Sequence, residues 1–136
     1  MEWKKLETQV DIDELMQIVH DFHDSCINGL TYSSGTYVDE DYSMVMDTNP
    51  VVNLLIQRQS ESMTNIELCL RGVTKFHINN DLDATLDILG ARFIKHEDGF
   101  YWYSNENVED ETKTTFVCKE ISWRSISRYL FKNHPR

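Results

Sequence analysis

The chain lacks most short motifs that identify a chemistry. It has only five glycines and two prolines in 136 residues, and contains no G-x-x-x-x-G-K-[ST], G-x-G-x-x-G or G-x-S-x-G pattern. These patterns build phosphate-binding loops and the strained turn that presents a catalytic serine. Their absence leaves no reaction class that the sequence alone favours.

Cysteine is also scarce. Cys26, Cys69 and Cys118 are odd in number, widely separated and without a C-x-x-C pair. A disulfide framework has an even count and belongs to shorter secreted chains, so we expect reduced thiols. Cys69 and Cys118 fall in strand-like runs, where cysteine usually serves as a small buried hydrophobe.

Long apolar runs are missing as well. No segment approaches the ~20 apolar residues that a membrane helix needs, and the N-terminus "MEWKKLETQV" lacks the apolar middle of a signal peptide. We therefore expect a cytoplasmic protein with no membrane partner.

Basic charge is sparse except near the C-terminus. The net charge is -10; residues 1–112 carry 22 acidic and 7 basic side chains, and residues 113–136 carry 1 and 6. Because nucleic-acid binding needs a basic surface, we expect no nucleic-acid partner. An acidic body suits a basic protein partner, although acidity can also serve solubility alone.

What is present predicts an α+β domain. Asp11 and Glu14 have the spacing of a helix cap, and apolar residues follow at helical spacing, which predicts a helix that ends near His20 or Asp21. Alternation then predicts about seven strands, mainly antiparallel, with one short helix in "NNDLDATLDIL". The strand segments are "FHDSCINGLT", "VVNLLIQRQ", "NIELCLRG", "VTKFHI", the hairpin "ARFIKHEDGFYWYS" and "TTFVCKEISW". We interpret residues 1–136 as one domain that carries a basic C-terminal segment, residues 125–136.

The segment "HDFHDSC", residues 20–26, places two imidazoles, two carboxylates and a thiol together. It could bind a metal or pair Cys26 with a histidine, as a small metal-dependent or thiol enzyme would. However, the predicted change from helix to strand inside it directs neighbouring side chains apart. We favour a polar junction of His20, His23 and Asp24, in which His20 caps the helix and Asp24 binds backbone amides at the strand entry.

A partner-binding surface is the other candidate site. Acidic clusters and large tyrosines on one predicted strand face suit a partner with basic and apolar features. The candidate residues are Asp39, Glu40, Asp41, Tyr101, Tyr103, Glu109, Asp110 and Glu111.

The chain resembles a class of small bacterial proteins. The resemblance lies in a short helix, the segments "FHDSCI" and "IELCLRGVTKFHI", and a later "YW" strand. Similar families are grouped with immunity proteins of polymorphic toxin systems. The resemblance covers about residues 10–105 and implies a cytoplasmic, non-enzymatic protein that binds and blocks a toxin domain. It transfers no catalytic residue. We assign no metal ligand and no cofactor, and keep an enzyme and an oligomeric domain, such as a homodimer, as alternatives.

Overall fold

A computed structural model describes residues 2–46, 49–78, 87–88, 90–105 and 114–126. Over these residues the fold is α+β and mainly antiparallel, as expected, but it has twelve strands rather than about seven. None of the described helices is long and apolar enough to cross a membrane. Asp87–Ile88, at the end of the predicted short helix of residues 79–89, forms a strand instead. The other residues of that segment and most of the basic C-terminal segment lie outside the described residues.

Helix α1, Gln9–Ile18, begins earlier than we expected. Thr8, not Asp11, is its N-cap: the Thr8 hydroxyl accepts the backbone N–H of Asp11 at 3.3 Å, and the Asp11 carboxylate accepts that of Thr8 at 3.0 Å. This reciprocal pair is a capping box. Asp11 is therefore the third helical residue, and the expected cap at Asp11 is wrong. Ile12, Leu15 and Met16 form the buried stripe of α1.

The larger sheet has six strands in the order β1-β12-β6-β5-β2-β8. Its central strands β5 and β6 carry the alternation expected of them, with Val52, Leu54 and Ile56 fully buried. The strands are β1 (Lys4–Leu6), β2 (Ser25–Ser33), β5 (Val51–Arg58), β6 (Asn65–Arg71), β8 (Asp87–Ile88) and β12 (Glu120–Ile126).

The smaller sheet has four strands in the order β7-β11-β10-β9. The predicted hairpin of β9 and β10 is present, with Gly99 pairing with His96 beside the turn. A separate two-stranded hairpin consists of β3 and β4. The strands are β3 (Tyr37–Val38), β4 (Met44–Val45), β7 (Lys75–His77), β9 (Arg92–His96), β10 (Gly99–Tyr103) and β11 (Thr115–Cys118).

The expected last strand, "TTFVCKEISW", is wrong as a single element. The chain bends at Lys119, so that β11 belongs to the smaller sheet and β12 to the larger one. The chain also changes sheets between β6 and β7, where Gly72 has a φ of +64°. A Cβ added at Gly72 would lie 3.1 Å from the Lys119 Cβ. The Lys119 amide donates to the Arg71 and Gly72 carbonyls at 3.0 and 3.2 Å, which holds the two crossings together.

One hydrophobic core joins α1 to both sheets. Phe22 is fully buried and meets Trp102 edge-on, with ring centroids 6.4 Å apart, and Trp102 packs on Phe116 at 5.9 Å. At the edge of the smaller sheet, the Gln9 side chain accepts the backbone N–H of Lys95 at 2.8 Å. The segment between α1 and β2 is therefore anchored in the core by Phe22, while its polar neighbours face outward.

Candidate functional site

The β3–β4 hairpin carries the first acidic cluster. Tyr37 pairs with Val45 and Val38 with Met44, and residues 39–43 connect the two strands. Within this connection, Asp39 Oδ1 accepts the backbone N–H groups of Asp41 and Ser43 at 2.9 and 3.0 Å. Tyr42 follows with a φ of +62°, a left-handed conformation that is uncommon outside glycine. The tip is thus a hydrogen-bonded loop.

Large apolar side chains on this hairpin are exposed. Successive strand residues point to opposite faces, yet Tyr37 and Val38 are exposed by 57% and 55%. Both faces of the hairpin are therefore open to solvent. The exposed apolar side chains of the segment are Tyr37, Val38, Tyr42 (91%), Met44 (63%) and Met46 (74%). We call residues 37–46 the docking hairpin.

The three acidic residues of the docking hairpin differ in role. Asp39 is half-buried, and its carboxylate holds the turn through the Asp41 and Ser43 amides. Glu40 and Asp41 are exposed at the tip. Of the predicted acidic trio, Glu40 and Asp41 thus present the charges that a partner could meet directly.

The other predicted partner-binding residues lie elsewhere. Tyr101 and Tyr103 are half-buried on β10 of the smaller sheet, with ring centroids 6.5 Å apart. The Tyr101 hydroxyl donates to the Asp98 carboxylate at 2.8 Å, and this hydrogen bond is the main cause that raises the pKa of Tyr101. Asp39–Asp41 lie in the connection between β3 and β4, whose two-stranded sheet is distinct from the smaller sheet. Glu109, Asp110 and Glu111 lie outside the described residues.

The junction after α1 has an unusual backbone. His20, Asp21, Phe22 and Asp24 all have φ between 52° and 56°, although non-glycine residues rarely adopt such values. Backbone hydrogen bonds hold this geometry: the Asp21 carbonyl accepts from Ala91 at 2.7 Å, and the Asp24 carbonyl accepts from Gln59 at 3.1 Å. Buried Phe22 supplies the packing that offsets the strain.

The polar side chains of the junction differ from expectation. Helix α1 ends at Ile18 with Val19 as its C-cap, so His20 lies beyond the helix end that it was expected to close. The Asp24 carboxylate, expected to bind backbone amides, pairs with His23 Nδ1 at 2.9 Å, and both side chains are more than half exposed. The left-handed turn at Asp24 explains this pairing, because a regular strand would direct the two side chains to opposite faces.

Two open cavities meet at this junction, and Arg58 lines both. The first, of about 460 Å³, is also lined by Asp24, Ser25, Cys26, Gln57, Gln59, Thr64, Asp87 and Ile88. The second, of about 510 Å³, is also lined by His20, Asp21, His23, Asp24, Gln59 and Ser60. The structure therefore brings His20, His23 and Asp24 together around one cavity. We call the first, which also receives exposed Cys26, the junction cavity.

The described ranges contain no group of three or more His, Cys, Asp or Glu side chains placed to hold a metal ion. The metal-dependent alternative for "HDFHDSC" gains no support from this geometry.

Comparisons with known proteins show a similarity to a viral protein. No protein-family model and no solved structure matches the chain. The "Probable RAD2-like endonuclease 369L" of Invertebrate iridescent virus 6 is 27% identical over 126 residues. The match covers 90% of this chain but 30% of the viral protein, so the chain spans less than a third of that relative.

Sequence reasoning missed two features of these sites. The apolar residues of the docking hairpin were passed over because Tyr37, Val38, Met44 and Met46 do not follow a clear alternation; that irregularity was itself the available signal. Arg58 was missed because it lies at the end of β5, directly after Gln57, where an arginine usually reaches solvent. Its burial depends on the β5–β6 turn, which no local pattern reveals.

Proposed function

We propose that this protein is a cytoplasmic protein-binding module that recognises a partner with basic and apolar features through the docking hairpin. In its most specific form, it is an immunity-like inhibitor that covers a basic surface of a toxin domain. The exposed apolar side chains on both faces of the hairpin are the observation that carries the proposal.

The physical reason is the poor stability of such an element alone. An isolated two-stranded hairpin is marginally stable in water, and a contiguous exposed apolar surface commonly marks a binding site. Tyrosine and methionine are enriched in interfaces, because tyrosine offers large rigid contacts and methionine adapts its shape. Tyr37, Tyr42 and Met44 provide this combination within a few residues.

Charge supports the same kind of partner. Glu40 and Asp41 lie exposed at the hairpin tip, on a chain of net charge -10. Opposite charge speeds encounter and disfavours wrong partners, and its effect weakens as salt increases. A basic protein surface therefore meets favourable charge at the tip and apolar contacts along the strands.

The viral relative supports the idea of a module. One segment of a longer protein aligns with nine-tenths of this chain, so a unit of this size is used there as part of a larger protein. The endonuclease activity in the viral protein's name is not transferred, because the aligned segment is 30% of that protein. We propose that the shared unit contributes partner binding.

Affinity capture with matched baits tests this function. The baits are the wild-type chain, the charge variant Glu40→Lys/Asp41→Lys and the apolar variant Tyr42→Ser/Met44→Ser. The control Asp13→Lys/Glu14→Lys makes the same charge change on the exposed side of α1. We expect a basic protein that the wild type and the control retain, and that both hairpin variants lose.

The captured protein is then purified and its Kd measured at two salt concentrations. Two results together support the proposal. The Kd of the wild type rises with salt concentration, and the Kd of each hairpin variant is at least tenfold higher than that of the wild type. Capture that does not distinguish the hairpin variants from the control would overturn it. If the bait captures only copies of itself, the homodimer alternative replaces the proposed partner.

A further inference from the structure

Arg58 is a buried cation at the end of β5. Its side chain is 7% exposed, and Nη1 donates to the carbonyls of Ser62 and Met63 at 2.9 and 3.1 Å. Nε is buried and has no hydrogen-bond partner within the described ranges. A buried donor without a hydrogen-bond partner is rare in native proteins and calls for an explanation, such as a water or an ion.

Among the described residues, no ion pair compensates the charge of Arg58. No described carboxylate lies within ion-pair distance of its guanidinium, and burial lowers the pKa of Arg58. Keeping a cation away from water is costly unless an anion and hydrogen bonds compensate it. An arginine fork matches a carboxylate particularly well, because two parallel N–H···O bonds can form.

The other two charged side chains in the lining of the junction cavity are acidic. Asp24 and Asp87 line the cavity and are exposed, and Asp24 also pairs with His23. Two carboxylates in the same lining disfavour a simple anion beside Arg58. A ligand that carries a cationic group beside its carboxylate would meet complementary charge at both positions.

We propose that the junction cavity binds a small zwitterion of the α-amino acid class, with its carboxylate at Arg58 and its ammonium group toward Asp24 and Asp87. Gln57, Gln59 and Thr64 line the same cavity and offer amide and hydroxyl groups for hydrogen bonds. The volume of about 460 Å³ exceeds the needs of a single amino acid and falls in the range of small-molecule sites.

This site is separate from the docking hairpin. Ser25 begins β2 at the cavity, and Ser33 ends β2 shortly before the hairpin. Eight residue steps of a strand span roughly 26 Å. A change at one site can therefore be tested without altering the other, and the proposal does not depend on the protein-binding function.

Chemical-shift titration of the ¹⁵N-labelled full chain tests the proposal. The probes are the twenty L-α-amino acids, each added alone, with acetate, ethylammonium and inorganic phosphate as partial ligands. We expect at least one amino acid to give saturable shifts concentrated at residues 24–26, 57–59, 64 and 87–88. Acetate, ethylammonium and phosphate should each bind at least tenfold more weakly than that amino acid.

Two variants with matched controls test the proposed roles of Arg58 and Asp24 in binding. Arg58→Gln should abolish the shifts, whereas Arg92→Gln, at an exposed position on β9, should leave the Kd unchanged. Because Arg58 also holds the β5–β6 turn, Asp24→Asn provides a second test at an exposed position. It should weaken binding at least fivefold, while Glu14→Gln on α1 has no effect. Absence of saturable binding by every amino acid, equal affinity for acetate or phosphate, or an unchanged Kd in Asp24→Asn would overturn the proposal.

Discussion

Asp39 and Ser43 are joined by two hydrogen bonds in opposite directions. The Asp39 amide donates to the Ser43 carbonyl at 3.0 Å, and Asp39 Oδ1 accepts the Ser43 amide at 3.0 Å. This reciprocal pair closes the tip of the docking hairpin and sets the position of Glu40 and Asp41. The carboxylate of Asp39 thus orders the loop that presents the two exposed charges.

Two substitutions of Asp39 should separate its structural role from its charge. Asp39→Ala removes the acceptor for the Asp41 and Ser43 amides, and a lost hydrogen bond of this kind costs about 1 kcal/mol. Asp39→Asn keeps an oxygen acceptor without the charge. We expect faster hydrogen exchange at the Ser43 amide in the alanine variant and near-native exchange in the asparagine variant. Equal exchange in both variants would contradict this role.

The capping box of α1 should make stability depend on pH. Backbone N–H groups of Glu7 and Thr8 donate to the Asp11 carboxylate at 2.8 and 3.0 Å, which lowers the pKa of Asp11. A lowered pKa in the folded state stabilises the protein above the unfolded pKa, near 4. This contribution disappears as the pH falls through the folded value.

Urea unfolding between pH 6 and pH 2 measures that contribution. The free energy of unfolding should fall less steeply below about pH 4 in Asp11→Asn than in the wild type. Asp13→Asn, on the same helix, serves as the control and should follow the wild type. Identical pH profiles for all three proteins would show that the Asp11 carboxylate is not held in its ionised form.

Gly99 should tolerate no side chain. Its φ is +149°, and an added Cβ would lie 2.5 Å from the Cys118 carbonyl oxygen on the neighbouring strand. Strained backbone of this kind costs about 1–3 kcal/mol, and the contact adds to that cost. Gly29 is the matched control, because a Cβ there has no neighbour within 4 Å. Urea unfolding should show a large loss for Gly99→Ala and a small change for Gly29→Ala; similar losses would refute the proposed contact.

The three thiols should differ in reactivity. Cys26 is exposed, whereas Cys69 and Cys118 are buried, and burial raises the pKa of Cys118 to about 12. Because the thiolate is the reactive form, Ellman's reagent should modify Cys26 alone in the native protein and all three cysteines in denaturant. Cys26→Ser should abolish the native reaction. Rapid native modification of a second thiol would contradict the described packing.

Local periodicity predicted the central strands of the larger sheet. It did not predict the start of the helix or the residue at which the chain changes sheets. Strands β5 and β6 were predictable because apolar residues recur at every second position, and the core selects that period. These residues are Val52, Leu54 and Ile56 on β5, and Ile66, Leu68 and Leu70 on β6. The N-terminal cap was ambiguous because both Thr8 and Asp11 begin an acceptable capping sequence. The chain changes sheets at Lys119, which is neither glycine nor proline, so the usual sequence signal of a break in a strand is missing there.

The candidate sites were harder to predict because they depend on contacts between residues distant in sequence. The left-handed turn at His20–Phe22 involves residues that rarely adopt it, and Phe22 maintains it through contacts distant in sequence. The exposed acidic residues Glu40 and Asp41 could be found by composition. The irregular alternation of their apolar neighbours was the available local signal, whereas the burial of Arg58 follows from the tertiary arrangement and has no local signature.

The Kd of the captured partner for the wild type and for Glu40→Lys/Asp41→Lys, at 50 and 300 mM NaCl, tests the docking hairpin most directly. We predict that the variant binds at least tenfold more weakly at 50 mM NaCl, and that its Kd changes less with salt. Equal affinities and equal salt dependences of the two proteins would contradict the central claim that the hairpin meets a basic surface.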